Sequence, residues 1–221
     1  KFLNEFPTSP YAEKVSSYLV EVYMNTRSYD AALKSIDRIA KPSAQILEAK
    51  QKILFQLGTQ SFANADFEQA LKYLNQSIAI GQYNRQTKAD AYYWCGESYY
   101  RLNRMVEAAR DFNAYLQLTT QPNNEMYALA NYNLGYIAFH RKDYMQANNY
   151  FQKYIQLEKG ENATALADAY NRIGDCHLHV RNFEEAKQYY SQAEQMNTSS
   201  GDYSFYQLAL VSGLQKDYTG K

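Results

Sequence analysis

Cysteine and histidine carry the most recognisable chemistry in this chain. Cys176, His177 and His179 lie close together, and Cys95 precedes Cys176 by 81 residues. Side chains two residues apart on a helix point in different directions, and this spacing fits neither a zinc motif nor a disulfide framework. We therefore expect two buried thiols, no metal site and no cofactor.

Other catalytic signatures are missing as well. The sequence contains no glycine-rich phosphate loop, no nucleophile elbow and no recognisable pair of catalytic carboxylates, so we predict that the chain is not an enzyme. Lysine and arginine number 23, as do aspartate and glutamate, which argues against nucleic acid as a partner. No apolar run is long enough for direct membrane insertion. The unusual feature is 23 tyrosines in 221 residues.

A repeat of 38 or 39 residues runs through the chain and sets where these side chains must lie. Four glycines follow one another at spacings of 38, 39 and 39 residues: Gly58, Gly96, Gly135 and Gly174. An alanine stands twelve residues after each glycine: Ala70, Ala108, Ala147 and Ala186. A bulky residue stands four residues further on: Leu74, Phe112, Phe151 and Tyr190. Val20 takes the glycine place in an earlier unit. We call the four glycines, with Val20, the glycine column; such repetition predicts stacked structural units.

Each unit is predicted to contain two helices joined by a turn. Apolar residues recur at helical spacing in the first helix, and the glycine and alanine would let the two helices approach closely. Asp66, Asp143 and Asn182 stand at the turns, each three residues before a Gln or Glu. This arrangement predicts a capping box, in which the first side chain accepts from an unpaired amide at the start of the second helix.

The residue pattern of these units resembles the tetratricopeptide repeat. In order along the chain, the pattern is Leu-Gly, an aromatic residue, Asp or Asn followed by Tyr or Phe, Ala, and an aromatic ring. Residues 133–151 (NLGYIAFHRKDYMQANNYF) and 171–190 (NRIGDCHLHVRNFEEAKQYY) are the clearest examples. The resemblance implies an all-α fold, a right-handed α-solenoid of antiparallel helix pairs. It also implies a single solenoid domain over residues 1–221, with about five full repeats and partial repeats at both ends. The period exceeds the usual length of about 34 residues, which predicts longer helices.

The partial repeat at the C-terminal end has two alternative registers. The tripeptide KDY occurs at 142–144 and again at 216–218. Matching these two places as turns puts Ala209 in the glycine column, whereas keeping the 39-residue period puts Gly213 there. We favour Ala209, because the turn decides where the following helix begins.

By the same resemblance, one stripe of the first helices lines the concave ligand-binding groove. The candidates on this stripe are aromatic or acidic: Phe55, Phe62, Tyr93, Glu97, Tyr100, Tyr132, Tyr136, Phe139 and Asp175. The flanking candidates carry a charge or a polar ring: Trp94, Arg101, His140 and Arg172. Tyr and Trp offer large, rigid contact areas with a polar tip, as binding hot spots do. We expect the tyrosines to be partly exposed; the alternative is that they only pack between neighbouring helices.

The function that follows is a non-catalytic protein–protein interaction scaffold, which binds a peptide or protein segment in this aromatic groove. The alternative is a structural module of a larger cell-envelope complex, acting through end-stacking or convex-face contacts and self-association. The junction FLNEFPTSPYAEKV is similar to those of bacterial cell-envelope tetratricopeptide proteins. We therefore expect a bacterial periplasmic protein whose signal sequence is not in this fragment. The lysine–asparagine clamp of some family members is missing, since the first unit carries Ser17 and Glu21.

Overall fold

The computed structural model describes residues 5–6, 8–39, 41–158, 160, 162–199 and 201–218. Its described residues form eleven α-helices, distributed over two compact units, 1–120 and 121–221. The continuity of the solenoid from one unit to the other stays a prediction. Among the described helices, none combines the length and the apolar character that a bilayer crossing requires.

Both units are built from consecutive helix pairs. The first unit contains α1 (Ala12–Asn25), α2 (Tyr29–Ile36), α3 (Ala44–Ala63), α4 (Phe67–Ile80), α5 (Arg85–Arg101) and α6 (Met105–Leu118). The second unit contains α7 (Glu125–His140), α8 (Tyr144–Leu157), α9 (Ala163–His179), α10 (Phe183–Gln195) and α11 (Gly201–Tyr218). Within each unit every first helix except α11 packs against its own second helix, and a second helix packs against the next first helix of the same unit. The all-helical, paired architecture is the predicted one.

The glycine column is where the two helices of a repeat come closest. A Cβ placed on Gly135 would lie 2.8 Å from the Phe151 ring, and one on Gly58 would lie 2.6 Å from the Leu74 side chain. Gly96 and Gly174 have the same relation to the rings that follow sixteen residues later. Each glycine lowers the helix propensity by roughly 1 kcal/mol, but it allows a close, fully packed contact between the two helices.

The turn between the helices of a pair has one conformation throughout. Seven residues after each member of the glycine column, the backbone is left-handed, with φ of 55°, 60°, 58°, 61° and 62° at Arg27, Ala65, Asn103, Lys142 and Arg181. At the turn after α7, the Lys142 amide donates to the Phe139 carbonyl and the Asp143 amide donates to the Ala138 carbonyl. This pattern is a Schellman motif, which ends the first helix and reverses the chain.

The predicted caps are found at two of the three turns. The Gln69 amide donates to Asp66, and the Gln146 amide donates to Asp143, both at 3.1 Å. The prediction for Asn182 is wrong, because its side chain makes no capping hydrogen bond. The acidic first turn of α10 complements the helix dipole instead.

Caps that the sequence analysis did not single out begin the first helices. Asn84, Asn124 and Asn162 each accept from the amide three residues later. Ser43 does the same at the start of α3. These caps satisfy amides that a helix start leaves unpaired.

The last helix settles the two predictions made for the C-terminal partial repeat. Residues 216–218 lie inside α11, so the turn predicted there is wrong. The register based on it nevertheless agrees with the burial pattern. With Ala209 in the glycine column, the fully buried Ser204 and Val211 match the buried Ala169 and Cys176 of α9.

Candidate functional site

An open cavity lies between α1 and α3, the first helices of the first two repeats. Its volume is about 500 Å³, which is within the range of small-molecule and peptide-anchor pockets. The lining residues come only from these two helices: Lys14, Ser17, Tyr18, Val20, Glu21, Asn25, Gln45, Ile46 and Ala49. Ser17 and Glu21 stand on the stripe that the resemblance assigned to the groove, so the cavity opens on the first-helix surface.

The cavity combines an apolar floor with polar walls. Val20 and Ile46 are buried and belong to the core of the first unit, while Ala49 packs beside them. Lys14 and Glu21 are exposed at the rim. Within the described part of the chain, neither of these two side chains has an ion-pair partner.

The space exists because the first two repeats differ from the later ones in their helix lengths. α2 has 8 residues, whereas α4 has 14. α3 begins fourteen residues before its column glycine, whereas α5 begins eleven before its own. The early start follows from Ser43, which accepts from the Ile46 amide. The additional first turn of α3 presents Gln45 and Ile46 to α1 and forms one wall of the cavity.

In the first unit, the predicted aromatic stripe contributes mainly to packing. Tyr93 is only 4% exposed, so the expectation that it would be partly exposed is wrong. Its ring lies 5.8 Å from that of Phe112 and 5.3 Å from that of Tyr115, both on the second helix of its own repeat. Its hydroxyl donates to the buried Glu97 at 3.2 Å. A ligand would have to displace these contacts to reach either residue.

The other candidates of the first unit remain partly accessible. Phe55 and Tyr100 are half-buried, and Arg101 is exposed. The Phe62 and Trp94 rings are half-buried and meet edge to face, with centroids 4.9 Å apart. This contact joins two successive first helices and fills the space between them.

In the second unit, Tyr132 and Tyr136 are half-buried and bonded to the next first helix. Both hydroxyls donate to the Asp168 carboxylate, at 2.7 Å for Tyr132. The Tyr132 ring also packs 4.8 Å from Tyr154 on its own second helix. Burial, together with the Asp168 charge, raises the pKa of both Tyr132 and Tyr136 above 10. The two hydroxyls therefore remain donors at neutral pH.

Arg172 and Asp175 form the centre of a polar network. The Arg172 guanidinium lies 2.7 Å from Asp175 and 3.7 Å from Asp168. The opposite oxygen of Asp175 accepts from the hydroxyls of Tyr190 and Tyr203, at 2.7 and 2.8 Å. The groove prediction required Asp175 to be accessible to a ligand. It is wrong for this residue, because Asp175 is only 4% exposed.

Two candidates remain at the edge of this network. Arg172 stacks over the half-buried Phe139 ring, with 5.9 Å between the guanidinium carbon and the ring centroid. His140 is exposed and lies 6.4 Å from the Tyr136 ring. Sequence reasoning missed Asp168 and Tyr203. Asp168 stands six residues before Gly174, and Tyr203 stands six residues before Ala209. Comparing the residues at this place in successive repeats would have found both.

The thiols and histidines have the environments of structural residues. Cys95 and Cys176 are buried and reduced, and burial raises the pKa of the Cys176 thiol to about 12. His179 stacks on Tyr144 with ring centroids 4.2 Å apart. Among the residues that the structure describes, no group of three His, Cys, Asp or Glu side chains is placed to hold a metal ion.

The comparison with known families decides what these repeats are. The tetratricopeptide-repeat family matches residues 55–125 and 167–199. The chain is a tetratricopeptide-repeat protein. Such repeats are generally non-catalytic scaffolds, in agreement with the prediction that the chain is not an enzyme. Comparison with curated protein sequences finds no significant match.

Solved structures show the same tetratricopeptide fold. A MamA protein has a TM-score of 0.58 at 18% identity and covers 88% of this chain and 97% of its own. BtubC from P. vanneervenii has a TM-score of 0.60 at 17% identity, covering 90% and 85%. YrrB, described as a TPR protein with an unusual peptide-binding site, has a TM-score of 0.59 at 15% identity, covering 96% and 97%.

Proposed function

We propose that this tetratricopeptide-repeat protein is an interaction scaffold that binds a segment of a partner protein between α1 and α3. The observation that carries this proposal is the open cavity of about 500 Å³ on the first-helix surface. The equivalent stripe positions in α7 and α9 are occupied by hydrogen bonds to the next first helix. A partner therefore finds Lys14, Glu21 and an apolar floor beside α1, whereas Tyr132 and Tyr136 of α7 already bind Asp168.

This proposal moves the binding site away from the aromatic stripe first expected. Tyr and Trp still favour recognition at Tyr100 and Trp94, which are half-buried. The groove formed by Tyr132 and Tyr136 is less suited to a ligand, because their hydroxyls already bind Asp168. The first repeat, whose stripe carries Ser17 and Glu21, supplies the free space.

The test is to fill the cavity. Ser17→Trp places a large ring among the lining residues, and the matched control is Val106→Trp, at an exposed position on α6. Each variant carries a photo-crosslinking residue at position 18 and is mixed with extract of the source cells. We expect a discrete partner to crosslink to the unsubstituted chain and to V106W, and not to S17W. Equal crosslinking by S17W would contradict the proposal.

The cavity-filling result requires that the variants fold. Circular dichroism and thermal unfolding of S17W and V106W provide that check. As a second variant, Glu21→Arg alters the rim charge without adding bulk to the floor. If S17W is unfolded, loss of the partner with a folded E21R supports the same site, and retention by E21R contradicts it.

A second candidate function is assembly through the last helix. Phe205 and Tyr206 of α11 are 69% and 64% exposed. In the Ala209 register, Tyr206 stands where Tyr132 packs in α7, so it occupies a position that faces a following repeat. Light scattering should then show association that grows with concentration and is lost in a Phe205→Ser, Tyr206→Ser double variant. A strict monomer would contradict it.

The envelope location is a separate proposal. It is supported by the similarity of the junction FLNEFPTSPYAEKV to those of bacterial cell-envelope proteins of this family. Fractionation of the source cells with an antibody to this chain should find it in the periplasmic or envelope fraction. Recovery in the cytoplasmic fraction alone would contradict this proposal and leave the binding site unaffected.

A further inference from the structure

We propose that the cavity between α1 and α3 recognises an extended peptide with an acidic and a basic side chain three residues apart and an apolar side chain between them. This inference rests on the proposed scaffold function and names the ligand chemistry of that site. It uses only residues that line the cavity, on two helices of one unit.

The charge spacing follows from the geometry of α1. Lys14 and Glu21 both line the cavity and stand seven residues apart on one helix. Seven residues of an α-helix span about 10.5 Å. A chain extended as polyproline II advances about 3.1 Å per residue and completes one turn every three residues. Side chains three residues apart therefore lie on the same side, about 9 Å apart, and can reach both charges. Lys14 takes the acidic side chain and Glu21 takes the basic one.

In α9, the positions equivalent to Lys14 and Glu21 are occupied by residues that have hydrogen-bond and ion-pair partners within the protein. Lys14 stands six residues before its column residue and Glu21 stands one after, as Asp168 and Asp175 do in α9. Asp168 accepts from two tyrosines, and Asp175 has Arg172 and two tyrosine hydroxyls. Their counterparts in α1 face the cavity, where a ligand can provide the missing partners.

The floor and the amide groups define the rest of the ligand. Val20, Ile46 and Ala49 form an apolar surface between the two charges, which suits a side chain such as leucine. Asn25 and Gln45 line the same cavity. Their side-chain amides can each donate to and accept from a peptide backbone.

Charge complementarity selects a peptide over other polymers. The rim carries one cation and one anion, so it lacks the cationic surface through which proteins displace counterions from nucleic acid. The polar groups at both ends of the apolar floor also fit a side chain with peptide units on either side. The occupant is therefore a peptide segment of mixed charge.

Four short synthetic peptides with blocked ends test the inference. They contain the cores Asp-Leu-Ala-Lys, Asp-Leu-Ala-Asp, Lys-Leu-Ala-Lys and Asn-Leu-Ala-Gln. Binding is followed by the amide chemical shifts of α1 and α3 in the isotope-labelled chain at millimolar peptide. The variants are Glu21→Lys, which leaves two cations at the rim, and Lys14→Glu, which leaves two anions.

We expect the mixed-charge peptide to bind the unsubstituted chain best and the neutral one to bind less well. E21K should prefer Asp-Leu-Ala-Asp over the mixed peptide by about tenfold, and K14E should prefer Lys-Leu-Ala-Lys by a similar factor. These switches do not depend on the direction in which the peptide runs. A ranking of peptides that the variants leave unchanged, shifts confined to other helices, or no peptide binding would each overturn the inference.

Failure here is distinguishable from failure of the scaffold function. If S17W abolishes crosslinking of the partner while none of the four peptides binds, the site is correct and the charge pattern is wrong. If the peptides switch as expected, E21K should also lose the crosslinked partner. An E21K variant that switches peptide preference and keeps its partner would show that the natural partner binds elsewhere.

Discussion

The first helices α1 and α9 carry charged residues at the same two places in the repeat and differ in what those residues meet. In α9, Asp168 and Asp175 contact Arg172 and four tyrosine hydroxyls. In α1, Lys14 and Glu21 border a cavity. The difference shows that the same two places in the repeat can be bonded to neighbouring side chains, as in α9, or left open beside a cavity, as in α1.

The comparison also explains why aromatic content was a poor guide to the site. Tyr132 and Tyr136 are close to a carboxylate on the next first helix, so their polar tips bind within the protein. The Tyr93 hydroxyl binds Glu97 on its own helix. A tyrosine that finds an internal partner contributes to the stability of the protein, and the proposed binding surface lies in a repeat that lacks such pairs.

The largest expected difference between the two regions is the effect of removing a cation. Arg172→Met leaves Asp175 buried without its charged partner, and we expect a loss of about 3 kcal/mol in the free energy of unfolding. Lys14→Met should change it by less than about 0.5 kcal/mol, since Lys14 is exposed. Urea unfolding of both variants measures this difference. Equal losses would show that the α1 region is as tightly bonded as α9.

Removing a single tyrosine hydroxyl should lower the stability more in the second unit than beside the cavity, by a smaller amount than removing a cation. Tyr136→Phe deletes a donor to the Asp168 carboxylate, and a hydrogen bond to a charged group contributes about 1.5–2 kcal/mol. Tyr18→Phe removes a hydroxyl from a side chain that is 57% exposed and should leave stability unchanged. Thermal unfolding of the two variants compares them directly. A stable Y136F would mean that the Asp168 bond does not hold the helices together.

High pH should weaken the second unit at Tyr132 and Tyr136. Tyr132 and Tyr136 have a pKa raised above the ordinary 10.0 by burial and by Asp168. The folded state therefore keeps their protons where the unfolded chain releases them. Their contribution to stability is present below pH 10 and is lost as pH rises, by up to about 1.4 kcal/mol per pH unit for each tyrosine.

Denaturant unfolding between pH 9 and pH 11 measures this slope. A Tyr132→Phe, Tyr136→Phe double variant should lose stability with pH less steeply than the unsubstituted chain. An unchanged slope in the double variant would show that these hydroxyls do not carry the alkaline sensitivity.

The smallest effect should be the same in both regions. Arg27 and Lys142 have left-handed backbones at equivalent turns, with φ of 55° and 61°. Glycine adopts this conformation without steric cost, so Arg27→Gly and Lys142→Gly should each stabilise the chain by about 0.5–1 kcal/mol. Thermal unfolding measures both. Gains that differ widely would mean that the two regions differ in their turns as well as in their side chains.

Periodic features of the fold could be predicted from the sequence because the same residue types recur at the same spacing in each repeat. Gly135 and Phe151 recur at fixed spacing, and the structure places them in direct contact. The caps at Asp66 and Asp143 were predictable for the same reason. Asn182 has the right type and position and still makes no capping bond, because the orientation of one side chain is a local matter.

The location of the cavity could not be predicted from the repeat pattern. It depends on a deviation, the short α2 and the early start of α3 after Ser43. The glycine column describes what the repeats share, whereas the candidate site arises where helix lengths depart from the common pattern. The Pro42-Ser43 pair was visible in the sequence, but its consequence for the space beside α1 needed the helix positions.

Chemical labelling compares the two regions most directly, at Ser17 and Asn171, which both stand three residues before the glycine column. Single Ser17→Cys and Asn171→Cys variants would be treated with iodoacetamide, against the slow background of the buried native thiols. We predict that the thiol at 17 reacts at least about a hundredfold faster than the thiol at 171, and that the Asp-Leu-Ala-Lys peptide slows only the reaction at 17. Equal rates, or a rate at 17 that the peptide does not change, would contradict the claim that the space between α1 and α3 is the open binding site.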